Sequence, residues 1–199
     1  MKSLIIIGAS GHGRVAADIA CILGYKKIQF LDDSDNCSMP VLGKVCDFKK
    51  FVKTHDFFVG IGNNEIRKNI TKTLVNGGAN IVSLVHPDAV ISKSAVIGRG
   101  VVVMAGAVIN CGAIVGDGAI INTCSSVDHD CEVGDFTHIS VGAHLAGTVN
   151  VGDGTFVGVG ATVINNIQIC GECMIGAGAV VVKNIEDKGT YVGVPARKL

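Results

Sequence analysis

From Val85 to Val181 every sixth residue is aliphatic, and the phase never breaks: Val85, Ile91, Ile97, Val103, Ile109, Val115, Ile121, Val127, Val133, Ile139, Leu145, Val151, Val157, Val163, Ile169, Ile175, Val181. Four positions after most of these stands a small residue, as at Ala107, Ala113, Ala119, Ser125, Cys131, Thr137, Ala143 and Ala161. One position after, Gly, Asn or Asp is common, as at Gly98, Asn110, Gly116, Asp128 and Gly134. A period of six fits neither a helix at 3.6 nor a two-sided strand at 2. It fits a solenoid of short strands joined at tight corners, in which each strand sends one large aliphatic and one small side chain inward. Stacked coil on coil, the aliphatic ladders become a continuous core.

This pattern resembles the hexapeptide repeat of the left-handed parallel β-helix, over about half the chain. Three strands make one coil of about eighteen residues, so the seventeen hexads predict between five and six coils. Nothing in the run suggests a loop extruded between coils, because an insertion would shift the phase. The fold class expected is a small Rossmann-like parallel α/β domain over residues 1–80, followed by the all-β solenoid over residues 81–199.

The first eighty residues alternate strand and helix signals, the mark of a parallel α/β sheet. Leu4-Ile5-Ile6-Ile7 reads as a buried strand and runs into Gly8-Ala9-Ser10-Gly11-His12-Gly13. Val15, Ile19, Ile22 and Leu23 then recur at helical spacing up to Gly24. Ile28-Gln29-Phe30-Leu31 reads as a second strand ending in Asp32-Asp33. Phe57–Gly62 is a third, and Asn63-Asn64-Glu65 caps a second helix through Arg67 and Leu74. The glycine loop is G-x-x-G-x-G and not the G-x-G-x-x-G dinucleotide fingerprint. Glycines after a strand still let backbone N–H groups at a helix N-terminus approach a pyrophosphate. Asp32-Asp33 lies about where a ribose-binding acid would fall. A nucleotide is therefore expected, and an NAD redox role is not, since the domain lacks a second mononucleotide half. A turn serving only helix–strand packing is the alternative.

Composition narrows the partners. The 199 residues carry zero formal net charge, which argues against nucleic acid. Only 17% are charged and mean hydropathy is +0.48, so a free monomer is not expected. No apolar stretch approaches a membrane span. Met1-Lys2-Ser3-Leu4-Ile5-Ile6-Ile7-Gly8 has too short an apolar run for a signal peptide. A cytoplasmic protein is expected. Of eight cysteines, the single CxxC pair Cys170–Cys173 has no second pair at zinc-finger spacing. Cys131 and Cys173 fall on small inward positions, where a thiol is a small hydrophobe.

Three solenoid histidines carry candidate chemistry. His129, His138 and His144 all miss the inward aliphatic slot, so they are expected to point out or sit at corners. His129 is flanked by Asp128 and Asp130, and a carboxylate beside an imidazole fixes its tautomer and raises its basicity.

The glycine loop, Phe30-Leu31-Asp32-Asp33, Ile61-Gly62-Asn63-Asn64-Glu65-Ile66-Arg67, Val127-Asp128-His129-Asp130 and the tail Gly193-Val194-Pro195-Ala196-Arg197 together resemble the nucleotide-sugar acetyltransferases. These include the UDP-4-amino-sugar N-acetyltransferases of bacillosamine synthesis and the related sialic acid O-acetyltransferases. The resemblance covers essentially the whole chain. It implies an acetyl-CoA-dependent N-acetyltransferase acting on the 4-amino group of a UDP-linked amino-dideoxy sugar, without a metal. It further implies His129 as catalytic base and Asp130 as the acid that enhances it, where close relatives carry Glu. His138 is implied to contact acetyl-CoA near the thioester, and Val159 and Ala177 to offer backbone contacts to the pantetheine arm. Ser10, Gly11, His12, Asp32, Asp33 and Gly62 are implied to form the UDP-sugar site.

A thioester is already activated, so the transfer needs proton removal from the amine and stabilisation of an oxyanion. His129 and His138 are nine residues apart, half a coil, so within one subunit they face different sides. A shared site between subunits predicts a homotrimer. Other readings are O-acetylation of sialic acid or another polysaccharide sugar, a zinc enzyme of the γ-carbonic-anhydrase type using the three histidines, and a non-catalytic sugar-binding scaffold.

Overall fold

The computed structural model describes residues 3–199 and divides into two compact units, one up to Pro87 and one from Asp88 to Leu199. Met1 and Lys2, the start of the segment weighed as a leader, lie outside the described residues. The first unit contains β1 (Ser3–Ile7), α1 (Gly11–Ile22), β2 (Lys27–Leu31), a 3-10 turn at Val45–Lys50, β3 (Asp56–Val59), α2 (Asn64–Asn76) and β4 (Asn80–Ile81). Its sheet is parallel throughout, in the order β2-β1-β3-β4. The order reverses between β1 and β3, which is where α/β sheets open their ligand crevice.

The core beneath this sheet is Ile5, Ile7, Leu31, Phe48, Phe57, Val59 and Leu74, with Phe48 edge-on to Phe57 at 6.4 Å. The residues whose spacing marks α1 are only partly the ones it buries. Ile19 is inside, with Gly13, Ala16 and Ala20, while Val15, Ile22 and Leu23 are exposed. Close approach decides this: a Cβ on Gly13 would overlap the carbonyl oxygen of Gly8, and one on Gly60 would lie 2.8 Å from the Gly13 Cα. Only the small-residue face of α1 fits against the turns that leave β1 and β3.

The second unit is a solenoid of parallel strands. Between Val90 and Val181 each two-residue strand pairs with the one eighteen residues on, as in Ile120↔His138 and Ile121↔Ile139. Three faces result. One stacks Val102–Val103, Ile120–Ile121, His138–Ile139, Phe156–Val157 and Met174–Ile175. The second stacks Val90–Ile91 through Val180–Val181, and the third Val96–Ile97 through Gln168–Ile169. From Val103 to Val181 every sixth aliphatic is at most 2% exposed, and Cys131 and Cys173 fill inward small positions as expected. From Gly100 to Glu172 each sixth residue has positive φ, and this residue turns the corner. Most are glycines, but Cys124, Asp130, Phe136, Thr148, Asn166 and Glu172 hold the same conformation. All eight cysteines are free thiols. No helix among the described residues is long and apolar enough to cross a membrane.

Candidate active site

His129 sits at the corner between strands Ser126–Val127 and Glu132–Val133, with its side chain 53% exposed. Its Nδ1 lies 2.9 Å from Asp130 Oδ2. A carboxylate can only accept, so Nδ1 carries the proton and Nε2 is left with the lone pair. The Asp130 hydrogen bond is the main cause holding the imidazole above its ordinary value of 6.5. Asp130 occupies the left-handed corner position at φ 56°, a conformation that Asp and Asn tolerate better than most residues. Its short side chain reaches the imidazole without strain on the bond length.

Asp128 works on the other side of His129. Its Oδ1 accepts the His129 N–H at 2.7 Å and the Asn110 side-chain amide at 2.7 Å. The Asn110 bond first, then the His129 N–H, hold the Asp128 carboxyl below its ordinary value. Asn110 escapes a reading of local motifs, yet it lies one eighteen-residue coil before Asp128, a partner the repeat itself supplies.

His138 lies on the outward side expected of it but is covered there. It stands on a strand and is 7% exposed, edge-on to Phe156 at 4.9 Å. Its Nε2 is 3.0 Å from the Asn122 side-chain amide, whose oxygen accepts the Thr123 N–H at 2.8 Å. The hexad correctly gives an outward side of the strand, but in this column Val102 and Ile120 are buried as well. His144 is exposed, with Nδ1 2.9 Å from Ser126 Oγ. The structure thus brings His129 and Asp130 together and puts His138 on a different face. No group of three or more His, Cys, Asp or Glu among the described residues is arranged to hold a metal. Val159 and Ala177 stack one coil apart on another corner, both exposed, and the Val159 carbonyl accepts the Gly178 N–H at 2.8 Å.

In the first unit Ser10 is the N-cap of α1, but its side chain makes no capping hydrogen bond, and no acid lies in the first turn. The positive end of the helix is left open to an anion. Neither packing nor φ requires glycine at Gly11 or Gly62, where a Cβ would meet nothing within 4 Å. His12 is pushed down to about 4 by burial and then by Arg67, so it is neutral at physiological pH. Arg67, 1% exposed, donates to the carbonyls of Ile61 and Gly62 at 3.0 and 3.1 Å and to Asn64 Oδ1 at 2.9 Å.

The acidic pair has an architectural task. Asp32 accepts the Ala9 N–H at 2.7 Å through one oxygen and the Ser34 N–H at 2.8 Å through the other. Burial alone would raise this carboxyl, and the backbone donors outweigh it, so it lies below the ordinary carboxylate value. Asp33 accepts the Val45 N–H at 2.8 Å. Ser38, which no motif singles out, donates its hydroxyl to the Ala9 carbonyl at 2.8 Å. The bonds of Asp32 and Ser38 to Ala9 fix the glycine turn against the loop that follows β2, and Asp33 ties that loop to Val45.

Residues 3–74 match the family model described as the PglD N-terminal domain. The chain is 37% identical to the UDP-N-acetylbacillosamine N-acetyltransferase of Bacillus subtilis strain 168, over 48% of each protein. It therefore spans about half the length of that curated relative. Among solved structures it superposes on the acetyltransferase domain of PglB from Neisseria gonorrhoeae FA1090 in complex with acetyl coenzyme A, with a TM-score of 0.94 and 43% identity. That match covers 100% of this chain and 99% of the other. PerB from Caulobacter crescentus, solved with CoA and GDP-perosamine, gives 0.96 and 36% identity over 100% and 98% of the two chains. With these matches spanning both units and the hexad solenoid complete, the chain belongs to the hexapeptide-repeat nucleotide-sugar acetyltransferase family.

Proposed function

We propose that this protein is an acetyl-CoA-dependent N-acetyltransferase of bacterial glycan biosynthesis, acting on the 4-amino group of a UDP-linked amino-dideoxy sugar. The observation that carries the reading is the exposed His129–Asp130 pair, with Nδ1 held on the carboxylate at 2.9 Å and Nε2 left basic. His129 takes a proton from the attacking amine as nitrogen bonds to the thioester carbon. The carbon–sulfur bond then breaks, the amide remains on the sugar, and the proton is returned to the departing CoA thiolate. No covalent enzyme intermediate is required.

Asp130 keeps the base in the right tautomer. Support for His138 near the thioester comes from its fixed orientation between Asn122 and Phe156. The exposed corner backbone at Val159 and Ala177 suits the pantetheine arm. For the nucleotide sugar, the uncapped N-terminus of α1 at Ser10, Gly11 and His12, with the open space at Gly62, suits a pyrophosphate. Asp32 supports that site by bracing its turn, and Asp33 holds the adjoining loop through Val45. The division of labour is therefore residues 1–80 for the nucleotide sugar and 81–199 for acetyl-CoA. The working unit is a homotrimer with an intersubunit site, and the compartment is the cytoplasm, where acetyl-CoA is available.

The test is a panel of UDP-, GDP- and dTDP-linked 4-amino sugars with acetyl-CoA, scored by free-thiol release. Turnover greatest with a UDP-linked 4-amino sugar is expected. No release with any amino sugar would overturn the reading.

A further inference from the structure

Residues eighteen apart stack in this solenoid, and the stacking isolates a glycine that neither backbone nor core explains. Gly147 lies one coil after His129, and the adjacent Thr148 N–H donates to the His129 carbonyl at 2.9 Å. Gly147 is not among the positive-φ residues, so its backbone would accept alanine. The same column bears side chains elsewhere, Cys111 one coil before His129 and Asn165 one coil after Gly147, so the corner itself does not demand glycine. Yet Gly147 is buried while the ring of His129 is half exposed. A Cβ built on Gly147 would lie 2.6 Å from His129 Cε1 and 3.0 Å from Cδ2, and would overlap Nε2. The three atoms nearest that Cβ all belong to the one imidazole. On the opposite side Gly112, one coil before Asp130, leaves room for that carboxylate, since a Cβ there would overlap Oδ1. Gly112 has a backbone reason as well, at φ 70°. Gly147 has none.

We infer that Gly147 is a positioning residue for acetyl transfer: its missing side chain is the shelf on which the His129 imidazole lies, keeping Nδ1 on Asp130 and Nε2 in place to take the proton. The inference rests on His129 being the general base. An added methyl at 147 and the observed His129 rotamer exclude one another. The ring is exposed and turns on two bonds, so it moves and the coil does not. Displacement of a catalytic group by about 1 Å costs on the order of 10²-fold in rate.

The variant is Gly147→Ala, alone and combined with His129→Ala, with the His129 imidazole followed by NMR titration. Expected for Gly147→Ala is an unchanged melting temperature, KM values for both substrates close to wild type, and kcat down about 10²-fold. The His129 titration should move down toward the ordinary imidazole value as the Asp130 bond is lost. In the His129→Ala background the alanine should cost nothing further, because the group it displaces is gone. Wild-type kcat with an unshifted titration would overturn the shelf, and so would a further loss of rate or stability in the His129→Ala background. A shifted titration in a protein whose wild-type form acetylates no amino sugar would instead overturn the reaction, leaving the ring contact established.

Discussion

His129 and Asp130 are adjacent in sequence, and their contact leaves the Nε2 lone pair of an imidazole at one exposed corner. Replacing His129 by alanine should lower kcat about 10²–10⁴-fold, the usual range for a general base, with acetyl-CoA affinity little changed. Near wild-type turnover would remove His129 from the mechanism. The sign of the pH dependence follows from the raised imidazole. With His129 as the proposed base the neutral imidazole is the active form, so kcat/KM should climb with pH and level off above an apparent pKa higher than 6.5. Asp130→Asn removes the main cause of the rise, so the limb should move to lower pH while the plateau falls. A limb that stays in place would show that another group titrates there. The dyad was legible because both its members sit in one tripeptide. His138 was not, because alternation along a strand separates inward from outward and is silent on what covers an outward column. Asn110 and Gly147 were legible only through the eighteen-residue period, which assigns each corner residue its neighbours above and below.

The solenoid strand between Val85 and Val181 is two residues long and cannot bury anything alone, so its identity lies in the phase of the repeat and was readable from it, whereas the closing strands at Thr190–Val192 and Arg197–Lys198 fall outside that phase. A defect in the phase should be felt by the whole stack. Leu145→Ala, at a position 1% exposed, should lower unfolding free energy by about 2–5 kcal/mol with an unchanged denaturant m-value. A much smaller loss would mean the coil collapses onto the space. In the α/β unit the strands were legible as apolar runs and α1 as a helix, while the face that α1 buries was not. Helical spacing does not say which side packs, and the close glycine contacts at Gly8, Gly13 and Gly60 admit only small residues there, leaving Val15 and Ile22 exposed. The same unit changes the sense of the acidic pair. Asp32→Ala with Asp33→Ala removes acceptors for the N–H groups of Ala9, Ser34 and Val45, so the glycine turn loses its brace. KM for the nucleotide sugar should rise and KM for acetyl-CoA should stay nearly constant, the pattern of lost binding of one substrate. Loss of acetyl-CoA binding instead would reverse the division of labour between the units.

For the whole molecule, one chain carries His129 at a corner and His138 on a face half a coil away, so assembly decides whether they meet. Exposed aliphatics along the solenoid, among them Val90, Val96, Ile114 and Val159, supply apolar surface for association. Light scattering at micromolar concentration should give about three times 20.5 kDa. Mass alone does not test whether a site is shared, and complementation does. His129→Ala and His138→Ala subunits, each nearly inactive alone, can be unfolded together and reassembled in equal amounts. If each site takes His129 from one subunit and His138 from its neighbour, random mixing leaves about one site in four with both histidines intact. Activity should then recover to about a quarter of wild type, while the same subunits reassembled separately and then combined should stay inactive. If both histidines of a site belonged to one chain, no mixed assembly could contain an intact site. Absence of recovery in reassembled, correctly sized trimers would therefore rule out the shared cleft.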